Sequence, residues 1–151
     1  MREVIAKVLP LLQGQLRTTG VSVVREQPDF QPFVYGDRVQ LQQVVLNLMM
    51  NAIHAMRSVS DRARVLKIGI ARHGAGMLCI SVSDSGIGLH PAQRERIFEA
   101  FYTSKPDGMG MGLTISRSIV ESHGGRLWAT PNAGPGVTFQ FLLPLLPAAA
   151  L

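Results

Sequence analysis

The sequence predicts an α/β domain in which a sheet is covered by helices on one side. Three observations carry that expectation. Residues 65–71 with 77–84, and 126–130 with 136–143, alternate apolar and polar positions around short glycine-bearing turns, the pattern of two β-hairpins. Segments 2–17, 37–56 and 112–123 repeat apolar residues at three- and four-residue spacing, the pattern of amphipathic helices. The chain has 151 residues, 46% of them hydrophobic and 17% charged, which suits one folded domain with its own core.

In chain order, Val4, Ile5, Val8, Leu9, Leu12 and Leu16 mark the first helix, and Pro10 should kink or interrupt it. After Gly20, residues 21–25 read as a short strand, 27–32 as a proline-bearing loop and 33–35 as a brief edge strand. Gly36 and Asp37 open the second helix, with Asp37 as its N-cap. Leu66, Ile68 and Ile70 share one face of the first hairpin with Leu78, Ile80 and Val82. Residues 91–96 suggest a short helix and 97–107 a mobile cover. Gly124 and Gly125 stop the helix over 112–123, and Val137, Phe139, Phe141 and Leu143 turn the last strand toward the core. The domain is expected over 1–145, with 146–151 a frayed tail.

Composition excludes several classes. The net charge is +5, but the basic residues are scattered apart from a loose group at Arg57, Arg62, Arg64, Lys67 and Arg72, without interleaved aromatics. That is a solvated basic surface, not a nucleic-acid site. The single cysteine, Cys79, has no internal partner and reads as a small core residue in a reducing compartment. No apolar stretch approaches the ~20 residues needed to span a membrane, and no signal peptide is visible. The expected setting is cytoplasmic, without membrane contact by this domain.

The chemistry concentrates in residues 84–113. The stretch opens with Asp84-Ser85-Gly86-Ile87-Gly88 and closes with Gly108, Gly110 and Gly112 leading into the helix from Leu113. Glycines let the backbone approach a ligand, and a helix start beyond them presents N–H groups to an anion. An ionised carboxylate only accepts hydrogen bonds, which suits an adenine amine. Together these parts would hold ATP at both ends. No glycine is followed by lysine, which excludes a Walker A loop, and G-x-G-x-G after a polar loop is not the dinucleotide fingerprint. In the second helix Asn47 and Asn51 lie one turn apart on one face, with His54 three residues further on, within reach of a phosphate. Alone, two asparagines there are as readily a hydrogen-bonded core pair as a ligand set. Beside the glycine segments, their neutral amide oxygens suit Mg²⁺.

These residues carry a family resemblance over nearly the whole chain. Leu46-Asn47-Leu48-Met49-Met50-Asn51-Ala52 resembles the N box of the catalytic and ATP-binding (HATPase_c) domain of bacterial sensor histidine kinases, in the GHKL superfamily with DNA gyrase and MutL. Asp84 to Gly88 resembles its G1 box, the run containing Phe98, Phe101 and Lys105 its F box, Gly108 to Leu113 its G2 box, and Gly136-Val137-Thr138-Phe139 its final strand motif. The resemblance implies a two-layer sandwich: a mixed, mainly antiparallel five-stranded sheet under about three helices, with a mobile ATP lid.

It also implies roles. Asp84 would accept the adenine amine with support from Thr138. Asn51 and Asn47 would hold Mg²⁺, and Gly86 and Gly88 would let the backbone pass the nucleotide. Gly108, Gly110, Gly112 and Leu113 would line the phosphates, with Lys105 as a mobile charge and Phe98 and Phe101 anchoring the lid. The implied activity is donation of the γ-phosphoryl group of ATP, leaving ADP, to a histidine in two-component phosphorelay signalling. Asn47 stands where the gyrase branch has a water-activating Glu; an amide is no general base, which favours a protein acceptor over hydrolysis. The alternatives are a GHKL ATPase or a GHKL protein-serine kinase. His54, His73, His90 and His123 all lie inside the nucleotide domain, so none is the phosphoacceptor, and Asn47 is the one candidate for a catalytic role. Expected partners are the dimerisation and phosphoacceptor domain of the same kinase and a response regulator receiver domain. The isolated domain is expected to be a monomer that does not label itself, and the parent, soluble or membrane-anchored, a homodimer.

Overall fold

The computed structural model of the chain describes residues 1–100 and 112–147. Helix α1 (Arg2–Val8) passes into a 3-10 turn, Leu9–Leu12, and then into α2 (Gln13–Thr19). Pro10 causes the interruption, since it has no N–H to continue an α-helical ladder. Gly20, at φ 68°, closes α2 and turns the chain into strand β1 (Val21–Glu26). Asp37 caps α3 (Arg38–Met56) by accepting the Gln40 N–H at 3.0 Å. The hairpin β2 (Arg64–His73) and β3 (Met77–Ser83) follows, then α4 (Gly112–Ser122) and the second hairpin, β4 (Arg126–Pro131) and β5 (Val137–Pro144).

The five strands form one mixed sheet in the order β1-β2-β3-β5-β4, with β1 parallel to β2 and every other pair antiparallel. Alternation decides which side chains are covered. Leu66, Ile80, Val82, Leu127 and Phe141 point to the helices and are fully buried, against Val44, Val45, Leu48, Met49, Ile53 and Met56 of α3. Helix α1 packs on α3, α3 on β2 and β3, and α4 on β4 and β5. The ends of the helix layer are also tied: His123, just past α4, accepts the Asp37 N–H on Nε2 at 3.0 Å, and its Nδ1 lies 2.7 Å from the Ile119 carbonyl.

The structure departs from expectation at four places. Residues 33–35 form no strand but one isolated bridge, Val34 to Leu145, between Pro32 and Gly36. The short helix expected over 91–96 is not one α-helical segment: it is the 3-10 helix Pro91–Gln93 and the start of a second, Arg96–Phe98. Leu146, expected in the frayed tail, is tied to the fold: its N–H donates to Phe33 as that of Leu145 does to Gly76, both at 2.9 Å, and residues 148–151 lie outside the described residues. Cys79 is half-buried on the sheet face turned away from the helices, opposite Ala71 and Leu142, where partial burial raises its thiol pKa.

The basic group has internal work. Arg64 donates to the carbonyls of Thr19 (2.5 Å), Val59 (2.8 Å) and Arg57 (3.1 Å), Lys67 pairs with Glu26 at 2.9 Å, and Arg72 lies 4.0 Å above the Phe30 ring. No described helix is long and apolar enough to cross a membrane.

Candidate functional site

Asp84 follows directly on β3 with the same parity as Leu78, Ile80 and Val82, so its side chain points under the helix layer and is only 5% exposed. Its own N–H donates to the Val137 carbonyl at 3.0 Å. Its Oδ1 accepts the N–H of Gly86 at 2.8 Å and that of Val137 at 3.4 Å. Among the described residues these are the only hydrogen bonds to the carboxylate, and both fall on one oxygen. Burial raises the Asp84 pKa, and the two backbone N–H groups oppose that rise.

Two glycines make room for this carboxylate. A Cβ on Gly86 would stand 2.5 Å from the Ala55 carbonyl oxygen, because the turn after Asp84 presses on the last turn of α3. The Ile87 N–H donates to that same carbonyl at 3.1 Å. Gly136, at φ +95°, faces Asp84 from the start of β5, and a Cβ there would land on the Asp84 carbonyl oxygen. Gly88 lies at φ +77°.

Thr138, expected to support Asp84, has its side chain on the other face of the sheet. It pairs with Ser83, and its hydroxyl meets Ser83 Oγ at 2.9 Å and donates to Asn132 Oδ1 at 2.5 Å. A single strand position reverses the side chain, so Val137 rather than Thr138 shares the Asp84 side. Among the described residues Thr138 reaches Asp84 indirectly, through Ser83 and through Asn132, whose Nδ2 donates to the Asp84 carbonyl at 2.8 Å.

The second wall is α3. Asn47 donates from Nδ2 to the Gly112 carbonyl at 3.3 Å and to Ser116 Oγ at 3.2 Å, which sets the first turn of α4 against it. With its nitrogen engaged twice, the amide has its oxygen to offer. Asn51 and His54 follow on the same helix, both half-buried, and Ala55 meets the turn after Asp84. Eight residues of helix separate Asn47 from Ala55, about 12 Å along the axis. The helix start at Gly112 and the carboxylate of Asp84 thus approach opposite ends of one face of α3, and Leu113 packs against the core behind the first.

Phe98 is fixed at the edge of the site. It is 9% exposed, meets Phe139 edge to face with ring centroids 6.4 Å apart, and carries the Arg117 guanidinium 4.4 Å above its ring. Thr114 donates to its carbonyl at 2.9 Å. Phe101, Lys105, Gly108 and Gly110 lie outside the described residues. No sequence signal singled out Asn132 beyond its being a turn residue, nor Ser116, which is fully buried under Asn47.

Residues 36–147 match the family described as Histidine kinase-, DNA gyrase B-, and HSP90-like ATPase. The sensor protein FixL of Bradyrhizobium diazoefficiens is 46% identical over 111 residues, 74% of this chain and 22% of FixL. The sensor protein TdiS of Thauera aromatica is 40% identical over 147 residues, 96% of this chain and 27% of TdiS. The chain thus spans about a quarter of the length of these relatives. The solved catalytic domain of the histidine kinase ThkA superposes with a TM-score of 0.83 at 31% identity, covering 97% of this chain and 95% of that one. ThkA has also been solved in complex with the response regulator protein TrrA, where its TM-score to this chain is 0.80 at 30% identity, over 97% of this chain and 41% of that one.

Proposed function

The chain belongs to the histidine kinase-, DNA gyrase B-, and HSP90-like ATPase family, with the extent and fold of a sensor histidine kinase catalytic domain, and we propose that it binds Mg-ATP and donates the γ-phosphoryl group to a histidine on a separate phosphoacceptor domain. The observation that carries this reading is Asp84: a carboxylate buried at a strand end, with one oxygen held by two backbone N–H groups and the other available to an exocyclic amine. Among the described residues no partner charge on the sheet's apolar side accounts for a buried carboxylate there; an adenine amine would.

Mg²⁺ fits the residues present. Among the described residues no three His, Cys, Asp or Glu side chains cluster to cage a metal. The asparagines offer one or two neutral oxygens, which suits a cation brought in by the phosphates and completed by water. Asn51 is the proposed ligand, and Asn47, its nitrogen turned to α4, can add its oxygen. Bound there, the ion would neutralise charge on the phosphates. The chain's own part is positioning: the start of α4 and Gly112 orient the phosphates, and the family resemblance gives Lys105, Gly108 and Gly110, outside the described residues, roles toward the phosphates as well. Asn47 cannot take a proton from water, so slow hydrolysis and transfer to a protein nucleophile follow. A receiver domain of a response regulator is the proposed onward partner, by analogy with ThkA and TrrA.

Calorimetric titration with ADP and a non-hydrolysable ATP analogue, with and without Mg²⁺, tests this reading. Saturable binding that tightens with Mg²⁺ is expected, and Asn51→Ala should weaken the Mg²⁺-supported affinity by about tenfold while leaving the Mg²⁺-free value in place. Absence of saturable binding would end the proposal. With γ-labelled ATP, label should pass to an added phosphoacceptor domain and not accumulate on the chain alone.

A further inference from the structure

Three successive carbonyls leave the buried Asp84 turn, and each is held by a side chain from another element. Asn132 Nδ2 donates to the carbonyl of Asp84 at 2.8 Å. Arg62 holds the next two, with Nε donating to Ser85 at 2.8 Å and an Nη donating to Gly86 at 2.7 Å. Its other Nη donates to Asp61 at 3.0 Å. Ser85 is fastened from its side chain as well, since its hydroxyl donates to Ala63 at 2.8 Å and accepts the Val65 N–H at 3.0 Å. The turn is thus gripped by the segment between α3 and β2, a part of the chain outside all the glycine and asparagine motifs.

We propose that Arg62 is a positioning residue for base recognition: its fork fixes the Ser85 and Gly86 peptides so that the Gly86 N–H aims the Asp84 carboxylate at the base. The inference rests on the adenine reading of Asp84. The peptide between Ser85 and Gly86 has two ends. Its carbonyl is pinned by Arg62, and its N–H is the shorter of the two donors to Asp84 Oδ1. A peptide is planar, so fixing one end fixes the direction of the other. Only a planar guanidinium reaches two successive carbonyls at once; a lysine ammonium keeps the charge and loses the fork. Arg62 touches no ligand in this role and acts through Asp84 alone.

The test compares ADP with inosine diphosphate, in which a carbonyl replaces the adenine amine, by titration of the wild type, Arg62→Lys and Asp61→Asn. The wild type should prefer ADP strongly, because a site built to pair with a donor rejects an analogue lacking it. In Arg62→Lys the preference should fall by about tenfold, chiefly through weaker ADP binding, the size expected for one misdirected hydrogen bond. Asp61→Asn leaves both carbonyl bonds in place and should keep the preference. If Arg62 served stability alone, both nucleotides would weaken together and the ratio would stand, which overturns the proposal. A ratio that falls equally in Asp61→Asn would overturn it too, since charge rather than the fork would be responsible. A wild type that binds both nucleotides alike would instead sink the adenine role of Asp84, a separate failure.

Discussion

Asp84→Asn is expected to raise the melting temperature of the nucleotide-free domain while eliminating its stabilisation by ADP. The carboxylate is buried, and burial raises its pKa even against two backbone N–H donors. An acid whose folded pKa exceeds its unfolded value adds most stability below the unfolded pKa and loses that contribution as pH rises through the folded one. At neutral pH the ionised group is therefore a cost to the free protein. The amide retains an oxygen for the Gly86 and Val137 N–H groups and carries no charge. Toward the pocket, however, it turns an NH₂ group at an incoming amine, donor against donor. Loss of a charged hydrogen bond costs about 1.5–3 kcal/mol, so with the added repulsion ADP should bind at least about 100-fold more weakly. Melting curves from acid to neutral pH, with and without ADP, check both halves. The variant's advantage without nucleotide should grow as pH rises and vanish in acid. A variant less stable than wild type at neutral pH would show that the ionised carboxylate holds the turn together and carries no cost to the free protein.

Fold and site were legible in the sequence to different depths. The hairpins could be read because alternation at Leu66, Ile68 and Ile70 and at Val137, Phe139 and Phe141 is a local signal with one physical meaning, a half-covered strand. The place of Asp84 could be read because a carboxylate ending an apolar strand and followed by two glycines stood out as a candidate, and the structure buries it there. Thr138 was misplaced because a motif match carries no phase: one residue along an extended chain selects the opposite face, and only the pairing with Ser83 reveals which. The 3-10 turns at 91–98 look helical over so short a window, since proline starts and apolar spacing are common to both. Arg62, Arg64 and Asn132 could not be recognised, because their partners are backbone carbonyls of segments far along the chain, and a carbonyl has no sequence identity. What read as a loose, solvated basic group is in good part a set of ties between α3, β2 and the Asp84 turn.

Gly136→Ala should damage stability and nucleotide binding together, in contrast to Asp84→Asn, which separates them. Gly136 sits at φ +95°, outside the space an alanine adopts comfortably, and its missing side chain is where Asp84 passes. An added Cβ would meet the Asp84 carbonyl oxygen and stand 2.8 Å from its Oδ1. Neither neighbour can yield cheaply. The carbonyl is fixed by Asn132, and the peptide N–H of Asp84 is bonded to Val137, the residue after the glycine. Backbone strain of about 1–3 kcal/mol and overpacking of about 1–3 kcal/mol add here because they have separate causes. In a domain of this size that should lower the melting temperature by roughly 10 °C. Whatever shift relieves the clash must move Asp84, so ADP binding should weaken even where the variant remains folded. Gly134, two residues earlier in the same turn, supplies the control: a Cβ there meets nothing within 4 Å, and Gly134→Ala should leave both properties close to wild type. If Gly136→Ala behaved like Gly134→Ala, the packing of β5 against the Asp84 turn would be looser than the structure requires. The buried carboxylate would then owe its direction to the Arg62 side of the turn alone.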